Sequence, residues 1–412
     1  MIVSCGQSVQ RQVVFHRNII SNDTLNYDST AIDRTTNFFF KNLSTNTPAT
    51  FWFYSQSGIN YHSAATILSS VLLPQMSDEE KALAIWRVTA TSGHHYEYDY
   101  DHNLKDHVDP ISLVTFPYFM CGEKAGIMAN LAIIAGFMAR NVSLKGHEVA
   151  EVWYNNSWHM FDADENCIFR NKTNQIASVE DLHLHPDLIS ARYINCLLTN
   201  DFPGFKRYKE YVSDYQSGWI NANSLIENYP FPTDAITLYP GDEVCFQLHP
   251  NPWWIQLKFP RYVHGTKGML KRKIGLQQSN VIVTDTNTIL LNEKFPYYLT
   301  SLRVNSSELQ NVRVYLQCQN RETLVTEKKY LGNLNQPHEL VRNFYAPVKP
   351  DIYYSYSVIF ENLSVAKVNR ITIEHEFEFN ALTFPLHRYG GKCIVTDTIG
   401  RKDILYQITQ EH

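Results

Sequence analysis

The sequence lacks several features that would place it in a specialised class of protein. No run of apolar residues approaches the roughly 18 that a membrane-spanning helix requires. There is no internal repeat or low-complexity tract, and no composition bias indicates disorder. Cys-x-x-Cys pairs are missing, so neither a zinc site nor a small disulfide framework is predicted. We therefore expect a globular protein with no transmembrane helix, no resident metal and no cofactor.

Acidic residues slightly outnumber basic ones. The formal net charge is −5 and the isoelectric point is about 6.3, so the chain has no general attraction for nucleic acid, and no nucleic-acid partner is predicted. One local basic stretch, Lys258 to Lys273, carries six Lys or Arg residues among Pro and Gly. Because charge runs usually face water, this stretch is interpreted as a solvated loop.

The seven cysteines are widely scattered. They are Cys5, Cys121, Cys167, Cys196, Cys245, Cys318 and Cys393. An odd count leaves at least one thiol unpaired, which suits a cysteine nucleophile. Residues Ile2–Gly6 resemble the lipobox that ends a bacterial lipoprotein signal peptide, without the charged and apolar regions that precede one. One prediction is an extracytoplasmic protein, periplasmic or lipid-anchored through Cys5 if a signal peptide precedes this chain. The alternative is a cytoplasmic protein.

A chain of 412 residues exceeds one ordinary core, so several domains are expected. The 25 Tyr, 22 Phe and 7 Trp favour β-rich architecture, because large flat side chains pack well on pleated sheets. Changes in the residue pattern along the chain predict three regions: an N-terminal β-containing region (1–70), a mixed catalytic region (71–230) and a β-rich C-terminal region (231–412). Alternation of apolar and polar residues, as in Ile371–Phe379, predicts a β-sandwich or jelly roll in the last region. The predicted fold class is α+β.

Two helices and a hairpin stand out in the middle region. Ser77–Glu80 forms a capping box that predicts a helix start. A second, apolar helix is predicted to begin at Cys121 and to end at Gly136, which fits the left-handed position after a helix. Strands are predicted at 142–144, 148–154 and 158–161. The pair Asn155-Asn156 predicts a tight turn between the last two, since Asn tolerates positive φ.

The second helix and the hairpin together suggest thiol chemistry. A thiol attacks an acyl carbon only as the thiolate, and a helix N-terminus favours that form, which suits Cys121. With a two-residue turn, Val149 lies opposite Asp162, and His147 is a diagonal neighbour on the same face. This register predicts a His147–Asp162 pair. Asp164 would lie directly opposite His147, so it is the alternative acid.

The same residues resemble the catalytic core of the transglutaminase-like superfamily. The resemblance rests on Cys121–Ala125, Ala135–Arg140, Gly146-His147, Glu151–Tyr154 and Trp158–Asp162. It implies a papain-like fold and a cysteine acyl-enzyme mechanism. It also implies the catalytic triad Cys121, His147 and Asp162, with the acid four residues after a strand tryptophan.

The sequence departs from the family pattern in two places. Phe137-Met138 replaces the usual Ile-Pro of the helix-to-strand connection, and Gly122 stands where animal transglutaminases have Trp. The second departure weakens any claim to their protein cross-linking specificity and favours hydrolysis. The predicted function is therefore an amide or peptide-bond hydrolase, or an acyltransferase, that acts on a protein or peptide through a thioester.

The alternative function is an inactive glycan-binding protein of the cell envelope. Residues 377–391 resemble the last strands of jelly-roll modules in bacterial polysaccharide-processing proteins. In that case Trp253, Trp254 or Tyr353 would stack on sugars, although paired tryptophans more often belong to a core.

Other candidate residues receive weaker interpretations. His94-His95, His183 and His185 lack metal-ligand spacing and are expected to face solvent. His159 is expected to be structural, because it should point to the face opposite the triad. The tyrosines upstream of Cys121 are candidate cleft contacts, namely Tyr96, Tyr98 and Tyr118. The backbone N–H of Cys121 is one predicted oxyanion donor, and the second is not identified.

Overall fold

The structure is a computed structural model. It describes residues 11–19, 23–26, 36–45, 48–51, 53–55, 59, 61, 63–95, 108, 110, 112–115, 118–197, 202–216, 236–248, 267–278, 280–294, 298–306, 311–319, 326–334, 339–343, 355–380, 392–395 and 402–410. Several residues singled out above lie outside this set: Cys5, Tyr96, Tyr98, Trp253, Trp254 and Tyr353. The side chains of His94 and Tyr118 are likewise not described.

The described residues form a mixed α+β structure, as predicted, in which strands predominate. The α-helices are α1 (Ala64–Val71), α2 (Asp78–Thr91), α3 (Ser112–Thr115), α4 (Cys121–Ile134), α5 (Val179–Leu184) and α6 (Phe205–Tyr211). The strands up to residue 216 are β1 (Arg11–Ile19), β2 (Asp23–Asn26), β3 (Thr36–Asn42), β4 (Ala49–Phe51), β5 (Phe53–Ser55), β6 (His94–His95), β7 (Tyr118–Phe119), β8 (Met138–Leu144), β9 (His147–Tyr154), β10 (Ser157–Phe161), β11 (Cys167–Phe169), β12 (Ile194–Cys196) and β13 (Tyr215–Gln216).

The described C-terminal part consists almost entirely of strands. These are β14 (Ile236–Leu238), β15 (Glu243–Leu248), β16 (Lys267–Gly275), β17 (Ile282–Asp285), β18 (Thr288–Lys294), β19 (Tyr298–Ser306), β20 (Val312–Gln319), β21 (Thr326–Leu334), β22 (Glu339–Asn343), β23 (Ser355–Glu361), β24 (Ile371–Asn380), β25 (Lys392–Val395) and β26 (Lys402–Gln410). Three larger antiparallel sheets organise the described strands, with the orders β10-β9-β8-β13, β1-β26-β3-β15-β16-β24-β19-β22 and β17-β18-β23-β20-β21.

Helix α2 begins where the sequence predicts. The hydroxyl of Ser77 accepts the Glu80 backbone N–H at 3.3 Å, and the Glu80 carboxylate accepts the Ser77 N–H at 2.8 Å. This reciprocal pair satisfies donors that have no partner within the helix. The predicted capping box is confirmed.

The hairpin of β9 and β10 also has the predicted turn and register. Asn155 and Asn156 have φ angles of 51° and 61°, the conformation of a tight two-residue hairpin turn. Phe161 pairs with Ala150, so the next position brings Asp162 opposite Val149. Strand β8 begins at Met138, four residues earlier than predicted, because its first residues continue to pair with β9 as far as Trp153.

One sheet contains strands from both ends of the chain. Strand β3 lies between β26 and β15, and β1 pairs with β26. A continuous hydrophobic core joins this sheet to the middle region, from Phe40 and Phe377 to Ile85 and Ile127. The expected boundaries near residues 70 and 230 remain predictions, and strands from the first and last expected regions share this sheet.

The basic stretch forms a strand where a loop was expected. Strand β16 lies between β15 and β24, and its side chains alternate: Leu270, Arg272 and Ile274 are buried, whereas Lys271 and Lys273 are exposed. The expectation of a loop is wrong for this part. Alternate side chains, among them Leu270 and Ile274, face the core, and a count of charged residues does not show this alternation. Residues 258–266 lie outside the described set. No helix among the described residues is long and apolar enough to cross a membrane.

Candidate active site

Helix α4 places a thiol at its N-terminus. Cys121 is the first residue of the helix and is half-buried, and the Met120 N–H is capped by the Glu123 carboxylate at 2.7 Å. Residues 124–132 of the helix are buried, and the helix packs against β8, β9 and α2. Cys121 therefore lies at the positive end of the helix dipole. Gly136 has a φ of +95° just after the helix, as predicted for its C-terminal cap.

The hairpin brings an imidazole and a carboxylate together. The Nε2 atom of His147 lies 2.8 Å from Oδ2 of Asp162, and both side chains are buried. This is the diagonal contact that the hairpin register predicts. An ionised carboxylate can only accept, so His147 donates through Nε2, which leaves Nδ1 as the ring nitrogen available to another group.

Asp162 is held by several donors besides His147. Its Oδ1 atom accepts the backbone N–H groups of Asp164 and Glu165 at 3.0 and 2.8 Å. Its Oδ2 atom also accepts the Tyr208 hydroxyl at 2.9 Å, and its backbone carbonyl accepts the Trp86 indole N–H at 2.8 Å. These bonds fix the carboxylate in one orientation, which a group that orients an imidazole requires.

The electrostatics favour a charged imidazole. Burial alone would lower the pKa of His147, but the negative charge of Asp162 and its hydrogen bond, together with the Cys121 thiol, raise that pKa well above its ordinary value. The ring also stacks on Tyr211, with centroids 4.6 Å apart. His147 can therefore hold a proton at neutral pH beside the thiol.

Cys121, His147 and Asp164 converge at the N-terminus of α4. The Cys121 sulfur, a ring nitrogen of His147 and a carboxylate oxygen of Asp164 all lie within 4.8 Å of one another. The structure does not pair Asp164 with His147. Instead, Oδ2 of Asp164 lies 2.6 Å from Nδ1 of His95, and the Lys124 ammonium lies 3.8 Å from Oδ1.

No role was predicted for Lys124 from the sequence, and His95 was expected to face solvent. Lys124 is fully buried one turn after Cys121, and its ammonium donates to the Ala163 carbonyl at 3.3 Å. Burial would raise the pKa of Asp164, but the His95 hydrogen bond and the Lys124 charge together lower it. The signal in the sequence was a lysine among the apolar residues of a buried helix.

Thiol, imidazole and carboxylate are also the ligand types of a zinc site. The Lys124 ammonium competes with any cation for Oδ1 of Asp164. His147 is engaged by Asp162 on its other nitrogen, an arrangement that serves an acid–base pair as well as a metal ligand. The lysine favours thiol chemistry over metal binding here.

Gly122 lies beside the end of a flexible side chain of β9. A Cβ atom at this position would lie 2.8 Å from Oε2 of Glu148, closer than real contacts allow. A larger residue, such as the Trp of animal transglutaminases, would have to displace the Glu148 carboxylate.

The other histidines that the sequence singled out, and whose side chains the structure describes, lie on the surface or in local contacts. His159 is buried and stacks on Tyr154, and its Nδ1 lies 2.6 Å from the Ile176 carbonyl. His183 and His185 are exposed, as expected, and His183 contacts the Val212 carbonyl at 2.8 Å. His95 differs from the expectation, because it is partly buried against Asp164.

No protein-family model matches this chain, and no curated protein matches it.

Proposed function

We propose that this protein is a cysteine-dependent hydrolase or acyltransferase of amide or peptide bonds, built on a transglutaminase-like, papain-type core. The observation that carries the proposal is the buried His147–Asp162 pair beside Cys121 at the start of α4. The order of the three residues along the chain and the resemblance of the surrounding motifs support the same assignment.

In this mechanism, the thiol of Cys121 transfers its proton to Nδ1 of His147. The thiolate attacks the carbonyl carbon, and His147 then gives the proton to the departing amine. Water hydrolyses the resulting thioester, or a second amine takes the acyl group. The first bond within α4 runs from the Lys124 N–H to the Met120 carbonyl, so the earlier N–H of Cys121 has no partner within the helix and can stabilise the oxyanion.

Alkylation by iodoacetamide across pH, with sites mapped by mass spectrometry, tests the proposal without a known substrate. We expect Cys121 to react far faster than the other cysteines. Cys167 and Cys245 are internal comparators, because burial raises the pKa of Cys167 well above its ordinary value and that of Cys245 to about 11. Uniform slow labelling would overturn the proposal and favour the inactive glycan-binding alternative.

The variant Cys121→Ala separates a nucleophile from a core residue. A half-buried nucleophile is not needed for packing, so the variant should keep its thermal midpoint and lose the fast-reacting site. Unfolding of this variant would show that Cys121 supports the core.

A further inference from the structure

Two other cysteines face each other across a short strand pair. Cys167 in β11 and Cys196 in β12 are directly opposed in an antiparallel register, and both are free thiols in the structure. Nothing in their sequence spacing signals this, because residues 168–195 separate them and include a helix.

The hydrogen-bond pattern defines the type of pair. The Leu197 N–H donates to the Asn166 carbonyl at 2.9 Å, and the Arg170 N–H donates to the Tyr193 carbonyl at 2.8 Å. Hydrogen-bonded pairs alternate along an antiparallel ladder, so Cys167 and Cys196 form a non-hydrogen-bonded pair. The Cα atoms of such a pair lie about 4.5 Å apart, within the roughly 4.4–6.8 Å that a disulfide spans.

The two side chains also share one environment. Cys167 is fully buried in the cluster around Phe169 and Tyr208, and Cys196 packs partly buried against the same cluster. Both side chains therefore lie on the same face of the pair. Burial and the neighbouring Asp162 charge raise the pKa of both thiols, so thiol–disulfide exchange at this pair should be slower than at an exposed cysteine.

We propose that Cys167 and Cys196 are a disulfide-forming pair that crosslinks β11 to β12. The co-reactant is a low-molecular-weight disulfide such as oxidised glutathione. The half-buried Cys196 first displaces one thiol and forms a mixed disulfide. Cys167, as its thiolate, then attacks the Cys196 sulfur and releases the second thiol. Two protein thiols are oxidised, and one external disulfide is reduced to two thiols.

The crosslink would support the acid of the candidate triad. Cys167 and Asp162 exchange both backbone hydrogen bonds, each at 3.1 Å. Tying β11 to β12 therefore restrains the turn whose N–H groups hold the Asp162 carboxylate. Cys121 takes no part in the crosslink and remains available.

The test uses the full chain incubated with oxidised glutathione at about pH 8, where thiol exchange proceeds. We expect a mass loss of two hydrogens, a peptide linking Cys167 to Cys196, and a thermal midpoint raised by about 5 °C that dithiothreitol reverses. Cys196→Ser and Cys196→Ala should abolish the crosslink and the shift. Cys245→Ser should keep both.

Two outcomes would overturn the proposal: a stable glutathione adduct on Cys196 with no crosslink, or a crosslink that pairs either cysteine with another residue. The variant Cys121→Ala should form the same crosslink. The disulfide and the proposed function can therefore fail separately, because one is scored at Cys167 and Cys196 and the other by alkylation of Cys121.

Discussion

At the scale of single residues, two neighbouring aspartates belong to different hydrogen-bond networks. Asp162 accepts from His147 and Tyr208, whereas Asp164 accepts from His95 and lies near the Lys124 ammonium. Hairpin geometry alone permits either aspartate to pair with His147, and the positions of Lys124 and His95 explain why Asp164 bonds to His95 instead. Only Asp162 is hydrogen-bonded to the imidazole and can orient it directly.

Replacing each aspartate by asparagine should therefore have unequal effects on Cys121. Asp162→Asn removes the counter-charge of the His147 imidazolium, so His147 should hold its proton beside the Cys121 thiol less well. The alkylation rate of Cys121 at pH 7 should therefore fall by about tenfold or more. Asp164→Asn should change this rate only slightly. The alkylation rate of Cys121, measured against pH for both variants, tests which aspartate orients His147. A larger effect from Asp164→Asn would show that Asp162 is not the acid of the triad.

Glu165, whose backbone N–H donates to the Asp162 carboxylate, gives the protein a pH-dependent stability. Burial and the charges of Asp162 and Asp164 raise its pKa from 4.5 to about 7. A folded-state pKa above the unfolded value contributes stability below about pH 4.5, and this contribution is lost as pH rises through 7.

Glu165→Gln removes that titration. Relative to the parent protein, the variant should be nearly unchanged at pH 5. At pH 8 it should be more stable, by on the order of 2 kcal/mol, because the uncharged amide replaces the ionised Glu165 carboxylate at this partly buried position. Urea unfolding at both pH values measures the difference. Glu180→Gln is the matched control, since Glu180 is exposed. A gain for Glu165→Gln that is equal at both pH values would contradict the assigned pKa.

At the scale of secondary-structure elements, the sequence predicts what local chemistry determines. The Ser77 cap, the start of α4 at Cys121 and the Asn155-Asn156 turn are each encoded within a few residues, and the structure contains all three. The turn matters most for the site, because its length sets the register that brings Asp162, the residue just after β10, to His147.

Contacts between distant elements were not predictable in the same way. Tyr208 reaches Asp162 from α6, and His95 reaches Asp164 from β6, across 46 and 69 positions of sequence. The pairing of Cys167 with Cys196 was likewise not predictable from local sequence, because the strand register between β11 and β12 is set by tertiary packing. Periodicity predicts which face of an element is buried, but it does not predict which side chain of another element lies against that face.

At the scale of the whole molecule, the sheet that joins both chain ends packs against the region that carries the site. Asn380, at the end of β24, is buried, and its amide donates to the carbonyls of Ser92 and Leu113, both at 2.6 Å. These carbonyls follow α2 and belong to α3, so one side chain ties the C-terminal sheet to two helices of the middle region.

A chain that ends at Tyr229 tests whether the site depends on this sheet. The truncation removes β15 and β26, the two strands that flank β3, and it uncovers Phe40 of the continuous core. It also removes Asn380. Unpaired strand edges and exposed apolar surface favour aggregation, so we expect the truncated chain to lose cooperative unfolding and the fast alkylation of Cys121. Circular dichroism during thermal unfolding and mapped alkylation measure both.

The variant Asn380→Ala in the full chain separates the amide contacts from the sheet itself. It leaves two buried carbonyls without these donors, at a cost of about 1–3 kcal/mol each, so the thermal midpoint should fall by several degrees. The strands remain, and Cys121 should still react fast. A truncated chain that unfolds cooperatively and keeps its fast thiol would show instead that the middle region folds alone, with the boundary near residue 230 where the sequence places it.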